Sequence, residues 1–299
     1  ARKPATMSTT EAITTAGNVW LDNYGEMTIG GLGVQADVVR ISTHSPITIA
    51  APVTAASDIT YIATDSADTG DDLTILSTGS LSSTSGNIYL YAGDNITVEA
   101  GSTLTAYGQI ELISGYQDMD SIASSISISG AFVAPLIRIR GSENSDTITT
   151  VPTASFTGIT LIEGRGGNDT LFSYAHDSIN NPILLYGDSA NVDFAAGQAE
   201  VLRIESADSP FDGQDEIESH SEFSVLVGGG GHDVLTALSS HNLIVGDGAA
   251  VVFMDNKVHE LETIASISDG NDVIDTSDGT QVIFGGSGAD IITVADGIN

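Results

Sequence analysis

The residues best suited to chemistry are aspartates that follow runs of glycine. Residues 228–236 read GGGGHDVLT and residues 285–293 read GGSGADIIT, and both fit G-G-x-G-x-D-x-U-x, where U is a large apolar residue. Glycine allows the backbone to turn its carbonyl oxygens inward, and the aspartate adds an anionic oxygen. Because Ca²⁺ takes six to eight oxygen ligands at about 2.3–2.6 Å, one turn offers about half of a coordination shell. A second turn stacked about 4.8 Å away could supply the rest.

Four further segments keep part of this pattern. GRGGNDTLF (164–172) has an arginine in place of the second glycine, and GSENSDTIT (141–149) keeps the first glycine, the aspartate and the apolar residue. PFDGQDEIE (210–218) and ISDGNDVID (267–275) keep the later glycine, the aspartate and the apolar residue, and each adds a second carboxylate. A single such turn needs no ligand, since glycine and aspartate suit turns in general. Six turns in register favour calcium, because stacked aspartates repel one another unless a cation lies between them.

These turns resemble the nonapeptide of the RTX-type calcium-binding repeats over roughly residues 141–299. The resemblance implies that the sixth-position aspartates are calcium ligands, assisted by carbonyl groups of the first glycine-rich positions. Arrays of that family repeat the nonapeptide back to back, whereas here other strands separate the copies, so we expect the ions to follow one edge of a wider solenoid. Two aspartates in separate Gly-Asp turns, Asp188 and Asp247, are expected to fill gaps. The residues of the predicted calcium sites are Asp146, Gly164, Asp169, Asp188, Asp212, Asp215, Gly228, Gly230, Asp233, Asp247, Asp269, Asp272, Gly285 and Asp290.

Regularly spaced strands must position these turns. GNVWLDN (17–23), DVVRIST (37–43) and SDITYIA (57–63) begin about 20 residues apart, and GNIYLYA (86–92) and GQIELIS (108–114) continue the series after an insertion. Apolar residues alternate within each copy, and further short strands follow each one, which predicts three strands per coil. Stacked coils would bury a continuous apolar column. The sequence therefore predicts an all-β fold, a right-handed parallel β-helix.

The strand pattern continues into the C-terminal half with glycine-rich turns. LLYGDSANVDF (184–194) matches LIVGDGAAVVF (243–253), an offset of about 59 residues that we interpret as roughly three coils. We divide the chain into an N-terminal segment (1–16), a β-helix with coils of about 20 residues (17–140), and an RTX-like calcium-binding continuation of the same solenoid (141–299). We expect about 13 coils in all, with a length of about 60 Å.

The composition excludes several classes of binding partner and of catalytic site. The 299 residues include 40 acidic and 8 basic side chains, for a formal net charge of -32. Such a surface repels nucleic acid and anionic membranes and favours cations, and no apolar stretch is long enough to span a bilayer. The absence of cysteine excludes disulfides and thiol chemistry. Motifs for zinc proteases, nucleophile elbows and phosphate-binding loops are also missing.

The first half resembles the haemagglutinin-type β-helices of large secreted bacterial adhesins. Together, the two resemblances imply a non-enzymatic structural or adhesive protein at the bacterial cell surface or outside the cell, rigidified by calcium. Because solenoid ends expose unpaired strand edges and we find no capping helix, we expect end-to-end self-association or continuation of a longer repetitive chain. Surface glycans are a further candidate partner.

Two alternatives remain open, a polysaccharide-modifying β-helix enzyme (a lyase or an epimerase) and a carbohydrate-binding module. Arg138 and Arg140 are the only basic pair on one face of a strand. We expect them to balance neighbouring aspartates.

Overall fold

The computed structural model describes residues 9–14, 16–175, 181–195, 200–207, 209, 211–264 and 270–295. Within these residues the chain is all-β, as predicted, with thirty strands and no helix. None of the described residues forms a helix of the length and apolarity that crossing a membrane requires.

The strands of the N-terminal part are short. They are β1 (Thr9–Ile13), β2 (Val19–Asn23), β3 (Met27–Ala36), β4 (Val39–Thr43), β5 (Ile47–Ile49), β6 (Pro52–Ala55), β7 (Ile59–Ala63), β8 (Leu73–Ile75), β9 (Ser80–Ser83), β10 (Ile88–Ala92), β11 (Ile96–Val98), β12 (Thr103–Ala106), β13 (Gln109–Ile113), β14 (Ser125–Ile128) and β15 (Ala131–Arg140).

The C-terminal part contains the other fifteen strands. They are β16 (Thr147–Thr150), β17 (Ser155–Arg165), β18 (Thr170–Ser173), β19 (Ile183–Asp188), β20 (Ala190–Phe194), β21 (Val201–Ser206), β22 (Glu216–Ser219), β23 (Phe223–Val227), β24 (Val234–Ala237), β25 (His241–Val245), β26 (Ala249–Met254), β27 (Lys257–Thr263), β28 (Val273–Thr276), β29 (Thr280–Phe284) and β30 (Ile291–Val294).

Twenty-six of the strands pair in parallel between successive coils and form a solenoid of three stacks. The first stack consists of β2, β4, β7, β10, β13, the second halves of β15 and β17, β19, β23, β25 and β29. The second stack consists of the first halves of β1 and β3, then β5, β8, β11, β14, β16, β18, β22, β24, β28 and β30. The third stack consists of the second halves of β1 and β3, then β6, β9, β12 and the first halves of β15 and β17.

The register of the stacks follows the apolar alternation. In the first stack, Val39, Ile59, Ile88 and Ile110 lie directly above one another and are fully buried. The second stack forms the facing apolar ladder, whose buried members are Ile47, Leu73, Ile96, Ile126, Ile148, Leu171, Ile217, Leu235 and Ile274. Each side chain of the ladders is covered above and below by its neighbours, which makes the core continuous along the solenoid.

Among the residues that the structure describes, the third stack ends at β17, and the later coils have two stacked strands instead of the three predicted. The polar turns that join β22 to β23, β24 to β25 and β28 to β29 contain only three residues each, too few to form another strand. The first and second stacks consequently contain eleven and twelve described strands, fewer than the 13 coils expected.

Two antiparallel hairpins project from the solenoid. β20 and β21 lie between β19 and β22, β26 and β27 lie between β25 and β28, and the four form one sheet in the order β20-β21-β26-β27. This sheet packs on the outward side of the first stack in a second apolar cluster, where Ile204 and Val251 meet Leu184, Tyr186 and neighbouring residues. The interpretation of the 59-residue repeat as three coils is wrong, because each repeat is one plain coil and one coil that carries a hairpin.

Candidate metal centre

The six sixth-position aspartates lie in one column along the edge where the chain passes from the first stack to the second. Each one immediately precedes a second-stack strand. The backbone N–H of each of the first five donates to Oδ1 of the aspartate in the next coil. The N–O distances are 2.7 Å for Asp146 to Asp169, 2.7 Å for Asp169 to Asp215, 2.9 Å for Asp215 to Asp233, 2.9 Å for Asp233 to Asp272 and 3.1 Å for Asp272 to Asp290. We call these six residues the aspartate column.

The central members of the column are buried with one oxygen unsatisfied. Asp169, Asp215, Asp233 and Asp272 are each at most 2% exposed. In all four, Oδ1 accepts the backbone hydrogen bond from the preceding aspartate, and Oδ2 has no hydrogen-bond partner. A buried carboxylate without a counter-charge is strongly disfavoured. The column therefore must take up either protons or cations.

The pKa values of these aspartates reflect the same cost of burying a charge. Burial, together with the charges of neighbouring aspartates, raises the pKa of Asp169 and of Asp233 to about 9. Burial also raises the pKa of Asp215 to about 7 and that of Asp272 to about 6. Near neutral pH, charge on the column thus depends on whether a cation is present.

A parallel column of glycines explains how the carboxylates fit. A Cβ on Gly141 would stand 2.5 Å from Oδ2 of Asp146 and 2.6 Å from the carbonyl oxygen of Gly164 in the next coil. These two oxygens are consequently at most about 5 Å apart, a span that one Ca²⁺ with ligands at 2.3–2.6 Å can bridge. The same approach of a carboxylate and a glycine carbonyl, each closer than 3.0 Å to the missing Cβ, recurs at Gly164, Gly187, Gly228 and Gly246.

The predicted glycines divide between two roles. Gly164, Gly228 and Gly285 belong to this glycine column, whereas Gly230 donates its backbone N–H to Oδ2 of Asp188 over 2.6 Å. Among the described residues no three carboxylates of the aspartate column meet at one point. An ion there would therefore need carbonyl oxygens of the glycine column as further ligands.

Asp188 and Asp247 lie beside the column rather than in it. Each directly follows a member of the glycine column, and the Oδ2 of Asp247 accepts the N–H of Ser287. Asp188 is 3% exposed, its Oδ1 has no partner, and burial followed by the charges of Asp215 and Asp212 raises its pKa to about 8. These two residues extend the acidic edge at the coils where the hairpins depart.

PFDGQDEIE and ISDGNDVID each add a second carboxylate to the pattern, Asp212 and Asp269 respectively. Both oxygens of Asp212 accept the N–H of Ser209, at 3.1 and 3.2 Å, and its charge raises the pKa of Asp215. Asp269 lies outside the described residues.

The column continues toward the N-terminus through residues that we did not predict. Ser124, Asp94 and Asp71 occupy the same position before their second-stack strands. Ser124 donates its N–H to Oδ1 of Asp146 over 2.6 Å, and Asp71 donates its N–H to Oδ2 of Asp94 over 2.8 Å. The signal that could have found them is an aspartate two residues before a buried apolar residue, as in DDLTI and DNITV, without the glycine run.

The basic pair has glutamate partners, not the aspartates we expected. Arg138 makes a two-point contact with Glu163, at 2.5 Å from Nε and 2.8 Å from Nη2, and Arg140 lies 2.7 Å from Glu111. Arg165 pairs with Glu143. The reason is register, since parallel pairing places Glu111 and Glu163 in the strands on either side of the two arginines.

Comparison with known proteins adds no relative. No family model, no curated protein and no solved structure shows a significant match to this chain.

Proposed function

We propose that this chain is a non-enzymatic, extracellular structural or adhesive segment whose solenoid is rigidified by Ca²⁺ bound along the aspartate column. The observation that carries the proposal is the row of four buried Oδ2 atoms that have no hydrogen-bond partner, with glycine carbonyl oxygens close by. Carboxylate and carbonyl oxygens are the ligands of hard cations such as Ca²⁺.

Calcium would act as a folding switch. Where calcium is scarce, as in a cytosol, repulsion and burial of the carboxylates oppose folding of the acidic half. Outside the cell, where calcium is millimolar, each ion that binds only the folded chain adds about 2.7 kcal/mol when its concentration is 100 times the dissociation constant. Ion binding and folding are thereby coupled.

End-to-end association with a second copy is supported by the exposed apolar surface of the last described coil. Ile292 occupies the position that is fully buried in Ile274 one coil earlier, yet it is 46% exposed. A further coil stacked on β30 would cover this side chain. That arrangement suits a filament of stacked copies.

The rival interpretation, a polysaccharide-modifying enzyme or a carbohydrate-binding module, would use the groove between the first stack and the first hairpin. Arg138, Arg140 and Arg165 line it. Each of these arginines already has a glutamate partner, so little positive charge is left for an anionic sugar. Turnover of alginate-like or pectin-like polymers would establish the rival, and binding on a glycan array without turnover would establish the binding module.

The experiment that tests the proposal is thermal unfolding of the full chain by circular dichroism in EDTA, in Ca²⁺ and in Mg²⁺. We expect calcium to raise the unfolding temperature strongly and to sharpen the transition, with a much smaller effect of magnesium. Identical melting curves in EDTA and calcium would remove the calcium role.

A further inference from the structure

We propose that Asp65, Asp118 and Asp120 form a second kind of calcium site, separate from the aspartate column. This site joins two loops of the N-terminal half. Asp65 lies in the loop between β7 and β8, and the other two lie in the loop between β13 and β14. We call this group the two-loop site. Its residues contain no glycine-rich nonapeptide, and it does not depend on the function proposed for the column.

The geometry of the two-loop site suits one ion. One carboxylate oxygen from each aspartate lies within 4.8 Å of the corresponding oxygens of the other two. Because Ca²⁺ contacts oxygens at 2.3–2.6 Å, a single ion can touch three atoms with this spread. Among the residues that the structure describes, no other group of three or more acidic or histidine side chains converges in this way.

The carboxylates of this site lack a protein counter-charge. None of the three forms an ion pair with a described lysine, arginine or histidine. Three like charges within a few ångströms are mutually repulsive, and a divalent cation is the simplest way to offset them.

Burial and unpartnered oxygens point independently to a ligand. Asp65 is only 4% exposed, and its Oδ1 has no hydrogen-bond partner. Oδ2 of Asp120 is likewise buried without a partner. Gly93 makes room for this arrangement, since a Cβ there would stand 2.5 Å from Cα and 2.8 Å from Oδ1 of Asp65.

Hydrogen bonds fix the three side chains in place, and Asp118 accepts through both oxygens, with Oδ2 accepting from Nδ2 of Asn144 over 2.6 Å. Oδ2 of Asp65 accepts the backbone N–H of Met119, which ties the two loops together across 54 residues of sequence. Oδ1 of Asp118 accepts the N–H of Ser121 over 2.8 Å, and Oδ1 of Asp120 accepts the N–H of Ile122 over 3.0 Å. The carboxylates are therefore positioned before any ion arrives, which lowers the entropic cost of binding.

A bound ion would link coils that are not neighbours. β10 lies between β7 and β13 in the first stack, so the loop that carries Asp118 and Asp120 reaches past one whole coil to meet Asp65. Gln117 and Ser121 flank the two aspartates with positive φ angles of 73° and 57°, a strained backbone that an ion would help to offset.

Hydrogen exchange of the full chain, followed by mass spectrometry, tests this proposal. We expect Ca²⁺ to slow exchange in residues 115–124 of the wild type at least tenfold, and native mass spectrometry to count one ion fewer in Asp120→Asn. That variant keeps an oxygen that can accept from Ile122, so the loop should fold, but calcium should no longer protect it. Asp68→Asn is the matched control, since it removes an exposed charge from the loop of Asp65 and should behave as wild type.

Three results would overturn the proposal. They are an unchanged exchange rate of residues 115–124 on adding Ca²⁺, retention of the wild-type response and ion count by Asp120→Asn, and equal protection by Mg²⁺. Exchange in residues 141–173 and 228–237 reports on the aspartate column in the same experiment. Failure of the two-loop site and failure of the proposed function are therefore distinguishable.

Discussion

Replacing Asp233 with asparagine should raise stability without calcium and reduce the stability that calcium adds. Asp233 is 1% exposed, its Oδ1 accepts the N–H of Asp215, and its Oδ2 has no partner. Burial, assisted by the charge of Asp215, raises its pKa from 3.8 to about 9. Metal-free folding at pH 7 therefore requires this carboxyl to take up a proton, at about 1.36 kcal/mol for each pH unit above 3.8, or about 4 kcal/mol.

The asparagine avoids this cost because it is neutral at every pH and keeps an oxygen for the N–H of Asp215. In EDTA at pH 7 we expect Asp233→Asn to raise the free energy of unfolding by up to about 4 kcal/mol. In saturating calcium the variant lacks a charged ligand, and a hundredfold weaker site would lower the increment that calcium adds by about 2.7 kcal/mol, which leaves a net gain over the wild type of only about 1 kcal/mol. The variant should thus be more stable than the wild type in EDTA and should gain less stability from calcium than the wild type does.

Urea unfolding followed by circular dichroism in EDTA and in millimolar calcium measures both effects. Asp275→Asn is the matched control, because Asp275 is exposed on the neighbouring strand β28 and its neutralisation should change little in either condition. If Asp233→Asn destabilises the chain in EDTA, or if calcium stabilises the variant as much as it stabilises the wild type, the reasoning about the column is refuted.

Three further predictions concern the column, its glycines and the hairpin sheet. Since folding raises the pKa values of Asp169 and Asp233 above their ordinary range, the folded metal-free chain binds more protons than the unfolded chain between about pH 4 and pH 9. In EDTA the free energy of unfolding should consequently be highest at the acidic end of this window and fall as pH rises, while the stability added by calcium grows. Urea unfolding midpoints at pH 5, 7 and 9 check this, and a midpoint in EDTA that rises with pH would contradict it. Gly228→Ala should destabilise the chain by about 1–3 kcal/mol both with and without calcium, because its Cβ would collide with the carbonyl of Gly246 and with Oδ2 of Asp233. If urea unfolding finds the variant as stable as the wild type, the glycine column tolerates a side chain. Ile204→Ala should lower the free energy of unfolding by about 2–5 kcal/mol and speed hydrogen exchange in the hairpin sheet, yet leave the calcium-induced protection of residues 228–237 intact. Loss of that protection would show that the sheet and the aspartate column unfold as one unit.

The strands of the solenoid could be predicted because a parallel stack repeats the same inward position in every coil. Val39, Ile59 and Ile88 have the same place in three similar segments, and the structure pairs them directly. The position of the aspartate column followed from the same logic, since each aspartate comes two residues before an inward-facing apolar member of the second stack, which is buried in every coil but the last described one.

The hairpins could not be separated from coils by sequence pattern alone. Alternation of apolar residues is the same in an antiparallel hairpin on the surface and in a parallel strand of the solenoid. The repeat of LLYGDSANVDF as LIVGDGAAVVF was therefore interpreted as roughly three coils, whereas β19 belongs to the first stack and β20 leaves it. What distinguishes them is the apolar outward face of the first stack, which only the assembled coils create.

The missed carboxylates have two different causes. Asp71 and Asp94 lack the glycine run that drew attention to the others, although they hold the same place before a strand. The two-loop site depends on a contact between Asp65 and Met119, and no local pattern encodes a contact over 54 residues. Such sites emerge only from the way that loops of different length fold across the coils.

The most direct measurement of the central claim is a crystal structure of the chain grown in calcium, with anomalous difference density collected along the aspartate column. We predict peaks beside Asp169, Asp215, Asp233 and Asp272, each about 2.3–2.6 Å from a carboxylate oxygen and from glycine carbonyls of adjacent coils. A column that holds no ion, with these four oxygens still buried and unpartnered in saturating calcium, would contradict it.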